Sequence, residues 1–118
     1  YLNRLKVGMP LQAEPTIKFA AYQLPENKGK VIKRVLNIHK EIDSPYNTYK
    51  YGGLPPGLIA MPDLSAIDAV LNYTKHSYYY FAADADRLGY HKFAKTLTQH
   101  NVNARDYQRY LSSQGIRN

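Results

Sequence analysis

The stretch Ser44-Pro45-Tyr46-Asn47-Thr48-Tyr49-Lys50-Tyr51-Gly52-Gly53-Leu54-Pro55-Pro56-Gly57-Leu58-Ile59 constrains the fold more than any other part of the chain. Proline fixes φ and glycine opens conformations closed to other residues. Two glycines followed by Pro55-Pro56-Gly57 therefore predict a shaped corner. Just ahead of it, rings, hydroxyls and an amide crowd into residues 46–51. Read as extended, Tyr46, Thr48 and Lys50 share one face, and Asn47, Tyr49 and Tyr51 share the other. Such a wall of donors, acceptors and aromatic faces suits a polar, sugar-like ligand. It equally describes a tyrosine-rich edge strand running into an ordinary loop.

The flanking segments read as short elements. Tyr1 and Leu5 share a helical face, and Gly8 with Pro10 stops it. The run has no N-cap and barely two turns, so the expectation is a chain that starts inside a helix begun further upstream. Pro15 suits a first helical position behind Glu14 as N-cap, with Ile17, Ala20, Ala21 and Leu24 on one face up to Pro25. Residues 26–30 form a polar loop. Val31, Val35, Ile38 and Ile42 fit helical spacing, though their β-branching also permits a strand. Beyond the central stretch, a helix opened by a Ser65/Asp68 capping box or by Asp63 carries Leu64, Ile67, Val70 and Leu71 inward. A turn at 74–77 leads to a strand at 78–83, a polar loop at 84–89 and a returning strand at 90–93. The last helix, from about Ala94, places Leu97, Ala104, Tyr107 and Leu111 inward and stops at Gly115. Several helices packed with a small antiparallel hairpin make the fold class α+β, and 118 residues are one domain or part of one.

Charge and composition narrow the functions. A net charge of +7 favours anionic partners, but it is spread along the chain and argues solubility and weak attraction. With no cysteine there is neither a disulfide framework nor a thiolate metal site. No apolar run approaches a membrane span. His39, His76, His91 and His100 are scattered without metal-ligand spacing, so no metal is expected. His91, alternating with Tyr90 and Lys92, is the one placed to face a cleft. No P-loop, dinucleotide fingerprint or nucleophile elbow is present. Glu41 and Asp43 share a face if extended, but nothing nearby would raise a carboxyl pKa, and they read as solvated charges. Twelve tyrosines on a basic chain also suit stacked single-stranded nucleic acid. No nucleic-acid motif supports that, so no nucleic-acid partner is expected.

Several phrases together carry a resemblance. Tyr1-Leu2-Asn3-Arg4-Leu5-Lys6-Val7-Gly8-Met9-Pro10-Leu11-Gln12, Glu14-Pro15-Thr16, Ser44-Pro45-Tyr46-Asn47-Thr48-Tyr49 and Gly53-Leu54-Pro55-Pro56-Gly57 resemble the YceG-like endolytic murein transglycosylases. Residues 78–82, the Gly89/His91/Phe93 pattern and His100-Asn101 continue the match in order over nearly the whole chain. Glu14 departs from the family's usual Asp, Leu58 from Pro, Met61-Pro62-Asp63 from Asn-Pro-Gly, and Tyr73 from Pro.

The resemblance implies a membrane-anchored bacterial enzyme on the outer, periplasmic face of the cytoplasmic membrane. It would cut the glycan strands of peptidoglycan internally and leave 1,6-anhydro-muramoyl ends. Residues 1–118 would be the C-terminal part of the catalytic domain, with the catalytic glutamate upstream of Tyr1 and no catalytic residue within the chain. Gln12, Thr16, Tyr46, Asn47, Thr48, Tyr49 and His91 are then the candidates for lining the substrate cleft. For each the other reading is an internal hydrogen bond, most of all for Thr16 and Thr48. No cofactor is expected, and cell-wall synthesis enzymes are candidate partners. Two rivals stand beside this reading. One is a non-catalytic peptidoglycan-binding module. The other is the aminodeoxychorismate lyase activity with which the family has been labelled. That chemistry needs pyridoxal phosphate on a lysine, and no lysine here has a recognisable setting for it.

Overall fold

The computed structural model describes residues 1–32 and 35–116. In chain order they form α1 (Leu2–Val7), α2 (Glu14–Tyr22), 3-10 turns at Pro25–Asn27 and Asn37–Glu41, and α3 (Leu64–Leu71). A hairpin of β1 (Tyr80–Ala83) and β2 (His91–Ala94) follows, and α4 (Leu97–Ser113) closes the order. The strands pair antiparallel, with Phe81 opposite Phe93 and Ala83 opposite His91. α4 lies against both strands, and α2 against the two 3-10 turns. This is the α+β class that the sequence predicts.

Six residues are too few to hold α1 helical in water. Gly8 ends it in the left-handed region (φ 73°), from which the Met9 N–H donates to the Arg4 carbonyl at 2.9 Å. The rest of the support is tertiary. Asn3 Nδ2 donates to the carbonyls of His76 (3.0 Å) and Tyr78 (2.8 Å). Arg4 is buried, with Nε donating to Tyr79 O (2.6 Å) and Nη1 to Pro10 O (2.8 Å). Its guanidinium also sits 4.8 Å from the Tyr80 ring centroid. α1 is thereby stitched to the segment that becomes β1.

α2 buries Ile17, Ala20 and Ala21 on the predicted face. Its N-cap is Ala13, one residue earlier than expected, and that residue has no side chain to cap with. The start is braced from the central stretch instead. The Ala13 N–H donates to Thr48 Oγ1 at 2.9 Å, and Thr16 Oγ1 donates to Ala13 O at 2.6 Å, the two hydroxyl oxygens lying 2.7 Å apart. In the hairpin loop, Asp84 Oδ1 accepts from the Asp86 (2.9 Å) and Arg87 (3.3 Å) amides, an aspartate turn that reverses the chain.

Several expectations need correction. The central stretch is a run of turns, not an extended wall: Asn47 N donates to Ser44 O, and Lys50 N and Tyr51 N both donate to Asn47 O. The alternating faces dissolve, and the neighbours Asn47 and Thr48 are both buried. The cause is the Asn47 amide, whose Oδ1 accepts from Tyr49 N (3.0 Å) while Nδ2 donates to Lys40 O (3.0 Å) and Ile42 O (2.7 Å). The segment around 31–42 is neither long helix nor strand among its described residues, and positions 33 and 34 lie outside them. Asp43 therefore shares no strand face with Glu41 and accepts from the Tyr51 hydroxyl. α3 forms, but Leu64, Ile67, Val70 and Leu71 are exposed, and no described element packs on them. Apolar spacing marks a face without supplying what covers it. Residues 74–77 are irregular rather than a turn, and β2 runs on to a buried Ala94. α4 accordingly starts later, with Thr96 Oγ1 accepting from Gln99 N at 3.3 Å, and Leu97 is exposed.

Removing the Arg4 head group would strand the partly buried carbonyls of Pro10 and Tyr79 at once. Arg4→Leu is expected to lower unfolding free energy by about 3 kcal/mol or more in urea denaturation. Arg4→Lys should not restore it, because one ammonium does not reproduce the planar fork. A loss within about 0.5 kcal/mol for Arg4→Leu would contradict this role.

Candidate functional site

A cleft of about 670 Å³ opens where α1, the loop behind it, Tyr49, the hairpin and α4 meet. That is within the range of about 300–1,000 Å³ typical of small-ligand sites. α1 contributes Arg4, the loop Leu11, Gln12 and Glu14, the hairpin Phe81 and His91, and α4 a stripe from His100 to Leu111.

Of the seven candidate residues, the structure brings Gln12, Tyr49 and His91 together in this cleft. Gln12 holds φ at 48°, a left-handed conformation that non-glycine residues seldom adopt and that costs about 1 kcal/mol or more. The strain is held in place from both sides. Gln12 N donates to Thr48 O at 3.2 Å, and Gln12 Oε1 accepts from Arg4 Nη1 at 3.3 Å. Tyr49 is half-buried, and burial followed by the nearby Glu14 carboxylate pushes its phenol pKa up to about 12. It is therefore a proton-bearing hydrogen-bond donor at neutral pH. The His91 ring meets Phe81 edge-on, centroids 5.2 Å apart.

The other four stand outside the cleft lining. Thr16, Asn47 and Thr48 are buried, and their polar side-chain atoms are engaged in the internal bonds described above. Tyr46 is half-buried against Phe19, centroids 4.6 Å apart. A Cβ at Gly57 would come within 3.2 Å of the Tyr46 hydroxyl, so the Pro-Pro-Gly corner lies close against that residue. These four build the wall behind Gln12 and Tyr49.

Sequence reasoning missed Arg4, His100 and Gln108. The signal for the last two was legible: residues 100, 104, 107, 108 and 111 recur at helical spacing, so polar side chains sit within what reads as a core stripe. His100 stacks on Tyr80 with centroids 5.2 Å apart and planes at 27°. Burial, reinforced by the Arg4 charge, pulls its pKa below the ordinary 6.5. Glu14 is the one carboxylate among the described lining residues, and it is exposed. That carboxylate lacks the enclosure that suits a proton donor.

Phenol, amide, imidazole and guanidinium groups thus gather around an open trough in an α+β domain. The YceG-like family matches residues 1–106, and the chain belongs to that family. It is 45% identical over 113 residues to an endolytic murein transglycosylase of Bacillus subtilis (strain 168), covering 96% of this chain and 28% of that protein. A Streptococcus pneumoniae protein of the same name, from serotype 2 strain D39, is 36% identical over 107 residues, or 91% of this chain and 19% of the relative. A crystal structure of a YceG-like protein from Listeria monocytogenes superposes with a TM-score of 0.70 at 39% identity, over 86% of this chain and 29% of that one. The chain spans less than a third of the length of each.

The depressed His100 pKa fixes a sign. The unfolded chain binds a proton that the folded chain resists, so stability is full above the ordinary value and falls as pH drops through the lowered one. The denaturation midpoint is expected to fall between about pH 7 and pH 5, and His100→Gln should remove part of that fall. Identical slopes in both proteins would contradict it.

Proposed function

We propose that the cleft holds peptidoglycan glycan strands for an endolytic transglycosylase that cuts them internally and leaves 1,6-anhydro-muramoyl ends. The observation that carries this reading is the convergence of Gln12, Tyr49 and His91 on one trough in a YceG-like chain. The relatives' name, endolytic murein transglycosylase, supplies the reaction class.

Such a reaction needs only one carboxyl group. Glycosidases that use water or a covalent intermediate need two. Here the sugar's own 6-hydroxyl would attack C1 as the glycosidic C1–O bond breaks, and intramolecularity replaces the second carboxyl. One acid protonates the departing oxygen, and its carboxylate receives the 6-hydroxyl proton. Exposed Glu14 is poorly set for that task. The reading therefore assigns the acid to a glutamate outside residues 1–118, and to these residues the holding of the sugars. Tyr49 donates a hydrogen bond, Gln12 presents an amide whose backbone is fixed by Thr48, and Phe81 with His91 offers ring faces. The net charge of +7 suits an anionic wall polymer. The same reading anchors the protein at the outer face of the cytoplasmic membrane, beside wall-synthesis enzymes. A second reading, a module that grips glycan without cutting it, is favoured by the exposure of Glu14.

Residues 1–118 incubated with purified sacculi are expected to bind and to release no anhydro-muropeptides, while the full-length protein releases them. In the full-length protein, Tyr49→Phe should lower kcat/KM about tenfold, the worth of one buried hydrogen bond. Release by residues 1–118 alone would move the acid to Glu14. Binding without release by the full-length protein would favour the module.

A further inference from the structure

Two buried polar atoms on residues that line the cleft have no hydrogen-bond partner among the described residues: His100 Nδ1 and Gln108 Oε1. Orphaned buried atoms are scarce in folded proteins, and each one calls for a reason. These two lie on one helix, eight residues apart, which is about 12 Å along its axis. Ala104 stands between them and Tyr107 beside them, all facing the same cleft. A small residue between two polar groups leaves room for a ligand ring. The His100 ring stacks on Tyr80, which holds its plane against the hairpin.

We propose that the His100–Ala104–Gln108 stripe of α4 is a second saccharide subsite, spanning neighbouring sugar units of a bound strand. This rests on the glycan reading above and adds to it where the sugars beyond the cut are held. Both side chains are half-buried at the cleft wall, and on binding each turns its shielded atom toward the ligand. Gln108 Oε1 then accepts from a sugar hydroxyl or an acetamido N–H. His100, carrying its proton on Nε2, accepts a hydroxyl at Nδ1. The low pKa of His100 keeps the ring neutral at neutral pH, which leaves Nδ1 able to accept. Both residues are proposed to bind the strand and to take no part in breaking it.

The test uses the full-length protein with isolated glycan strands and with a soluble GlcNAc–MurNAc tetrasaccharide. Gln108→Leu and His100→Phe each remove an orphan. Melting temperature is expected to hold or rise, KM to increase roughly tenfold, and kcat to stay within about twofold. In the wild type, the ¹⁵N resonance of His100 Nδ1 should move saturably with tetrasaccharide, a readout that needs no variant to fold. Unchanged KM in both variants, or an unmoved Nδ1 resonance while strands are still cleaved, would overturn the subsite and leave the glycan reading standing. A wild-type protein that neither binds nor cleaves strands would overturn both.

Discussion

The guanidinium of Arg4 is a buried cation with no carboxylate partner among the described residues. Such a charge costs several kcal/mol unless hydrogen bonds replace its water. Here the replacements are the carbonyls of Pro10, in the loop behind α1, and of distant Tyr79, with the Gln12 amide and the Tyr80 ring completing the shell. The charge is accommodated only when α1, the loop behind it and the entry to β1 are all in register. That requirement is what turns three weak local elements into one cleft.

The same charge sets the chemistry of the space it encloses. It helps hold His100 neutral, and at Tyr49 it acts against burial and Glu14 without overcoming them. The second brace is Thr48, whose carbonyl holds Gln12 in its left-handed conformation and whose hydroxyl starts α2. Asn47 in turn fixes Thr48 by closing the turn around it. The Tyr-Asn-Thr-Tyr segment therefore divides its labour: Asn47 and Thr48 build the scaffold, and Tyr49 reaches the cleft.

How much of this was legible follows from which forces are local. Gly8, the Ile17/Ala20/Ala21 face and the aromatic hairpin were readable, because a left-handed stop, a helical period and a run of rings each act within a few residues. Gln12, Tyr49 and His91 were named from residue type and family resemblance, and all three reach the cleft. The turns at 44–51 were misread because alternation presumes an extended chain, whereas one asparagine amide bonding to Lys40, Ile42 and Tyr49 bends it. The face of α3 was marked correctly as apolar, but burial depends on a neighbour that spacing does not reveal. Arg4 was missed for a similar reason, since its partners at Pro10 and Tyr79 are backbone atoms that no sequence pattern marks.

The most direct test of the account is a crystal structure of the full-length protein with a glycan oligosaccharide bound. The account predicts sugar density in the cleft assembled around Arg4, within hydrogen-bond reach of Gln12 and Tyr49. Density along the exposed face of α3, with the Arg4 cleft empty, would contradict it.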